Sequence, residues 1–176
     1  MKRNVVVFDL DGTLALIVHR RHFVERPSMK CYDCGGANRK SCVQCDDLDA
    51  GWKPRWPAFF AACVDDEPNL PVIATLQAHR NAGHEVMIVS GRSDEVRAET
   101  EAWLFKHVFP GEACTFAPLM RKAGDFTPDD ELKLQWLQSG AIPRDEVLCA
   151  YEDRDRVVAM WRAQGIACFQ VAPGAF

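Results

Sequence analysis

Apolar residues come in two rhythms along this chain. Short runs, Val5-Val6-Val7-Phe8, His84 to Val89 and Glu146 to Tyr151, are mostly apolar and carry β-branched residues. Such runs read as strands buried on both faces, the kind a parallel sheet contains. Ile166–Val171 reads as a last strand, and Thr115–Leu119 as a weaker one. Between them the apolar positions recur at helical spacing. Residues 68–83 carry Val72, Ile73 and Leu76 and stop at Gly83; residues 94–106 carry Val96, Trp103 and Leu104. A third helix starts near Asp129 or Asp130 and includes Lys133. A fourth carries Val157, Val158, Met160 and Trp161 and stops at Gly165. Strand and helix alternating through most of the chain predict an α/β fold with a doubly wound parallel sheet.

Each apolar run ends in polar chemistry. The first ends in Asp9-Leu10-Asp11-Gly12, the second in Ser90-Gly91-Arg92, the third in Glu152-Asp153-Arg154-Asp155. Buried charge at a strand end is costly unless a metal or a partner offsets it. Carboxyl ends of parallel strands are also where such sheets place ligands. In extended backbone Asp9 and Asp11 point the same way and would address one point in space. Ser90 and the backbone N–H groups around Gly91 and Arg92 could hold a phosphate.

Residues 16–67 interrupt the alternation. His19-Arg20-Arg21-His22 reads as a solvated loop or as an anion contact. Cys31, Cys34, Cys42 and Cys45 form two CxxC pairs separated by seven residues, the spacing that wraps tetrahedral zinc. The alternatives are disulfides or free thiols. With four thiolates the zinc would be structural rather than catalytic. Trp52 to Val64 is aromatic and contains a short helix begun by Pro57, with Phe60 and Val64 as its apolar face and Phe59 and Cys63 beside them. It packs against the main domain, or offers a platform on which bases stack.

Composition narrows the partners. The 176 residues fit one domain, or one with an insertion, and the net charge of −4 argues against a surface that coats nucleic acid. It leaves room for a small site holding one end of one. No run is long enough to span a membrane, and Met-Lys-Arg-Asn followed by a strand lacks a signal-peptide pattern, so a cytoplasmic protein is expected. The other cysteines, Cys63, Cys114, Cys149 and Cys168, lie among apolar residues and read as reduced core thiols.

Phe-Asp-Leu-Asp-Gly-Thr-Leu-Ala after a strand resembles the first motif of the haloacid dehalogenase (HAD) superfamily, dominated by phosphatases. Ser90-Gly91-Arg92 resembles its second motif, Lys133 its third, and Glu152-Asp153 its fourth. The run from Glu152 to Arg162 with Gly165, the segment Gln170–Phe176, and Arg121–Asp125 leading to Asp130 and Lys133 resemble more narrowly the 3′-phosphatase domain of phage polynucleotide kinase. No kinase P-loop occurs, so the likeness is to the phosphatase half alone. Glu152 stands where that family's usual first acid is found.

The resemblance implies a HAD-like core of residues 1–15 and 68–176; residues 16–67, where the cysteine cluster makes the chain depart from that family, would form a small cap with its zinc loop. It implies catalytic Asp9 and Asp11, phosphate-binding Ser90, Gly91, Arg92, Lys133 and Arg121, and Mg²⁺ held by Asp9, the Asp11 carbonyl and Asp153, with Glu152 direct or through water. It implies a Mg²⁺-dependent phosphatase acting on a nucleic-acid 3′ end, in a host cytoplasm if phage-encoded. A nucleoside monophosphate is the second substrate reading, because the insertion could close over the site. A zinc-organised binding module without activity is the third. No protein partner is inferred.

Overall fold

A computed structural model describes residues 4–25, 52–112 and 117–174. The zinc expectation on Cys31, Cys34, Cys42 and Cys45, and Cys114, lie outside the described residues. The main sheet has five strands, β1 (Val5–Asp9), β4 (Glu85–Ser93), β5 (Leu119–Arg121), β6 (Val147–Arg154) and β7 (Ala167–Gly174), in the order β5-β4-β1-β6-β7. All its pairings are parallel. Two further short strands, β2 (Ala15–Leu16) and β3 (Glu67–Pro68), pair antiparallel.

Alternation along β1 sorts the core into two layers. Val6 and Phe8 pack with Ile73 and Leu76 of α2 (Leu70–Asn81) and with Trp103 and Leu104 of α3 (Arg97–His107). Val5 and Val7 pack on the other side with Leu137 of α4 (Asp129–Gln138) and with Val157, Val158 and Trp161 of α5 (Asp155–Ala163). A strand covered by helices on both faces can be apolar at every position, which is why its sequence shows no alternation. Cys63, Cys149 and Cys168 are buried and unpaired.

The insertion leaves and returns at one place. Leu16 pairs with Glu67, and the Arg55 N–H donates to the Phe23 carbonyl at 2.8 Å. The short helix α1 (Trp56–Ala61) forms with Pro57 in its first turn. Its buried side differs from the expected one: Phe59 and Cys63 are buried, whereas Val64 is 50% exposed. The buried pair keeps the i, i+4 spacing of the expected one but lies one residue earlier, and the helix gives way to a 3₁₀ turn over Ala62–Asp65.

Leu76 is fully enclosed, so Leu76→Ala should cost about 2–5 kcal/mol in urea denaturation. Val64→Ala should change stability by less than about 0.5 kcal/mol.

Candidate active site

The β1 strand lies between β4 and β6, and the carboxyl ends of all three border one cavity of about 680 Å³. Asp9, the last β1 residue, continues the odd-numbered side that α4 covers, and Lys133 of α4 meets it there. The Lys133 Nζ donates to Asp9 Oδ1 at 2.5 Å and to Glu152 Oε2 at 2.7 Å. All three side chains are buried. Asp9, Glu152 and Asp153 bring one carboxylate oxygen each within 4.8 Å of one another.

Three carboxylates facing one ammonium leave an excess of two negative charges. Burial, and then the charge of Glu152, raise the Asp9 carboxyl well above its ordinary value, with Lys133 opposing. Burial pushes Glu152 up to about 7 against the pull of Lys133. Burial and the neighbouring Asp9 push Asp153 up to about 7. Burial alone would lower Lys133, but Asp9 and Glu152 hold it above the usual lysine value.

The donor set fits a divalent cation. Asp153 Oδ1 is buried and accepts no hydrogen bond. Gly12 leaves room for the same carboxylate: with φ at +85°, a Cβ there would lie 2.0 Å from Asp153 Oδ2. An all-oxygen set of this kind suits Mg²⁺. Glu152 is more committed. Its Oε1 accepts the N–H of Asp153 at 3.2 Å and of Arg154 at 3.4 Å, while Oε2 takes Lys133.

Asp11 departs from the expectation that it joins Asp9. The strand stops at Asp9, and the chain turns back through Leu14 N–H to Leu10 O at 3.0 Å and Gly12 N–H to Ala15 O at 2.8 Å. Both carboxylates border the cavity, but their partners differ. Asp11 Oδ1 accepts from Arg92 Nη2 at 2.6 Å, Arg92 Nε at 2.8 Å and Arg20 Nη2 at 2.6 Å. Burial would raise this carboxyl, but Arg92 and Arg20 outweigh it and hold it well below the usual carboxylate range.

Arg92 therefore differs from its expected place as a phosphate contact. Its side chain is 0% exposed, and the residue does not line the cavity. The β4 register slips between Ser90 and Ser93, and such irregularities re-aim side chains. Ser90 is also buried, its hydroxyl accepting the Arg92 N–H at 3.2 Å. Gly91 does border the cavity; a Cβ there would meet Asp129 Oδ1 at 2.2 Å. Arg121 borders it too, but much of its guanidinium is engaged by the protein. Nε donates to Gly91 O at 2.8 Å, Nη1 to Thr127 O at 2.5 Å, and Nη2 to Asp129 Oδ1 at 2.8 Å.

Two carboxylates have roles that sequence reasoning missed. Asp66 is buried between Arg20, whose Nε and Nη2 donate at 2.6 and 2.7 Å, and Arg92, whose Nη2 donates at 2.5 Å. Its backbone carbonyl accepts the Trp103 indole N–H at 2.8 Å. No motif marks Asp66; an Asp just before the return strand is the only trace. Asp129 stands at the α4 start, between Arg121 and Arg154, which donates to its Oδ2 at 3.1 Å. Burial opposes its ionisation, but Lys133, Arg154 and Arg121 lower its pKa overall. The Asp at a helix start was legible; its two arginine partners were not.

Comparison with known proteins agrees with this geometry. Residues 43–176 match the family model HAD_PNKP, described as the polynucleotide kinase PNKP phosphatase domain. The chain belongs to this PNKP phosphatase family. It is a HAD-type phosphatase, a phosphoric monoester hydrolase. The match begins after the first motif, but structural likeness covers that motif as well. The chain is 26% identical to a protein in the structure of the Pnkp1/Rnl/Hen1 RNA repair complex, with a TM-score of 0.67 over 98% of this chain and 44% of that one. A second structure of the Pnkp1/Rnl/Hen1 complex gives 26% identity and a TM-score of 0.68 over 100% of this chain and 48% of that one. The chain thus spans less than half the length of these relatives. CbbY from Rhodobacter sphaeroides, solved with phosphate, shares the fold at 17% identity, with a TM-score of 0.54 over 100% of this chain and 88% of that one. Among the described residues no helix is long and apolar enough to cross a membrane.

Two measurements probe the site. Adding Mg²⁺ to chelator-treated protein should raise the melting temperature by several degrees in calorimetry, about 2.7 kcal/mol at a hundredfold excess over the dissociation constant. Asp153→Asn or Gly12→Ala should remove most of that rise; an unchanged rise would locate the cation elsewhere. Arg92→Ala strips Asp11 and Asp66 of a shared cation. It should cost on the order of 3–5 kcal/mol in denaturant unfolding and lower turnover of any phosphomonoester.

Proposed function

We propose that this phosphatase is Mg²⁺-dependent and removes the 3′-phosphate from polynucleotide ends through an aspartyl-phosphate. The supporting observation is the buried cluster of Asp9, Glu152 and Asp153 around a single ammonium at the head of the sheet. A cation held by Asp9, Asp153 and the Asp11 carbonyl, with Glu152 steadying the set, would supply the charge that a phosphate dianion needs beside a carboxylate.

Asp9 is the nucleophile. Lys133 fixes its carboxylate, and the attacking oxygen forms a bond to phosphorus as the bond to the 3′-oxygen breaks. The departing oxygen takes its proton from the Asp11 carboxyl. Water then attacks the aspartyl-phosphate and gives a proton to Asp11, and inorganic phosphate leaves with Asp9 restored. Arg20 and Arg92 favour ionised Asp11, so proton uptake is the costly half of its cycle. Ser90, Gly91 and Arg121 shape the phosphate pocket, Ser90 and Arg121 through the backbone they hold. The Pnkp1 relatives come from an RNA repair complex, which supports a nucleic-acid end as the substrate.

A second reading has support as well. Trp56, Pro57, Phe59 and Phe60 of the insertion border the cavity, so the insertion can act as a cap that selects a small nucleoside monophosphate. In either case residues 16–67 form that cap, with the Cys31, Cys34, Cys42 and Cys45 zinc loop stabilising it. Family membership disfavours the inactive binding module.

With Mg²⁺, phosphate release should be fastest from a 3′-phosphorylated oligonucleotide, slower from free mononucleotides and slowest from a 5′-phosphorylated oligonucleotide. Faster release from mononucleotides would favour the second reading. Asp9→Asn should abolish turnover and keep the native circular dichroism spectrum; appreciable activity would refute the nucleophile.

A further inference from the structure

The cavity has an apolar side that phosphate chemistry does not use. Trp56 and Phe60 of α1 border it with their rings 5.9 Å apart and tilted by 29°. Phe126, on the loop between β5 and α4, borders it as well. Trp56 is 40% exposed and Phe126 is 87% exposed. Packing accounts for Phe59, which is buried beneath the Arg20 guanidinium at 4.1 Å, but not for Phe126. Large aromatic faces left open beside a catalytic centre mark a ligand surface.

The polar rim narrows the ligand. Lys122 and Arg156 are exposed and line the same cavity. Arg156 Nε also lies 3.4 Å from Asp130 Oδ1, a half-exposed pair, while Asp125 Oδ1 accepts the Thr127 N–H at 2.8 Å and Glu95 Oε2 accepts from Ser93 Oγ at 2.9 Å. A flat apolar ligand that is tethered to anionic groups fits this combination, and a sugar phosphate without a base leaves the aromatic side bare. The cavity volume of about 680 Å³ is within the usual range for a bound organic ligand.

We propose that Trp56, Phe60 and Phe126 form a stacking subsite for the nucleobase next to the scissile phosphate, with Lys122 and Arg156 receiving the phosphodiester that follows it. The subsite rests on the nucleotide reading above and assigns the insertion a direct part in substrate choice. Stacking tolerates any base, since every base has a π-face, so the subsite tells nucleotides from other phosphomonoesters without reading sequence.

The test compares three substrates with Mg²⁺ and the full chain. They are a 3′-phosphorylated oligodeoxynucleotide, the same oligonucleotide with an abasic terminal residue, and glycerol 2-phosphate. The parent chain should favour the base-bearing end over the abasic end by on the order of ten- to a hundredfold in kcat/KM, chiefly through KM. Phe126→Ala, at an exposed position that should tolerate it, and Trp56→Ala should close most of that gap, and Trp56→Phe should restore it. Lys122→Ala should raise KM for the oligonucleotide more than for 3′-thymidine monophosphate, which lacks the following phosphodiester. Equal rates on the two ends, or a gap that survives both alanine variants, would overturn the subsite and leave the 3′-phosphatase intact. An equal loss on glycerol 2-phosphate in both alanine variants would overturn it too, as a general structural effect. Turnover of glycerol 2-phosphate alone would overturn both the subsite and the nucleotide reading.

Discussion

The structure depends on an imbalance of buried charge. Asp9, Glu152 and Asp153 converge where three strands end; the Lys133 ammonium bonds two of them, and the Arg154 guanidinium acts on Asp9 and Asp153 from nearby. A carboxylate cluster of this density is tolerable only with compensation. Part of the compensation is built in: the ammonium, two backbone N–H groups on Glu152 and the raised pKa values. What remains is a deficit of positive charge, which a divalent ion would fill. The parts of the fold nearest the cluster serve that arrangement. Gly12 withholds a side chain so that Asp153 can approach, and α4 starts close enough to β1 to deliver Lys133.

A second charge system stands beside the first. Asp11 and Asp66 face Arg20 and Arg92, with the carboxylates and guanidiniums balanced in number. Arg20 and Asp66 belong to the insertion, Arg92 to β4 and Asp11 to the turn that follows β1. The insertion is thus tied to the catalytic loop by ion pairs rather than by apolar contact alone. Buried pairs of this kind contribute little net stability but penalise any arrangement that separates them. They fix Asp11 against the core and keep α1 over the cavity.

The fold was legible because both faces of the sheet are covered. A continuous run such as Val5–Phe8 suits the middle of a covered sheet and little else, and the strand ends carry the polar motifs. Asp9, Glu152, Asp153 and Lys133 were placed together by their resemblance to four motifs in order; the structure brings the three carboxylates within 4.8 Å of one another and bonds Lys133 to Asp9 and Glu152. Pairwise orientation was not legible. Arg92 turns inward where β4 slips register between Ser90 and Ser93, and a backbone irregularity leaves no periodic signature. Asp11 parts from Asp9 because the strand ends between them. Asp66 lay beyond inference: its partners are 46 and 26 residues away, and a lone acid in a polar stretch resembles any surface acid. The inward side of α1 was misjudged by one residue, because Phe59–Cys63 and Phe60–Val64 are both apolar pairs at i, i+4 and the sequence does not tell them apart.

The bond from the Arg55 N–H to the Phe23 carbonyl has a consequence for the chain between them. It holds Phe23 and Arg55, the residues that flank 24–54, side by side. Loop entropy grows only slowly with length, so a doubling would cost about 0.6 kcal/mol. That stem is a natural splice point: shorter or foreign sequences could be grafted there while Arg20, Asp66 and the aromatic helix keep their places. Descendants of one catalytic core could exchange such grafts and diverge in what they hold above the cavity without rebuilding the floor.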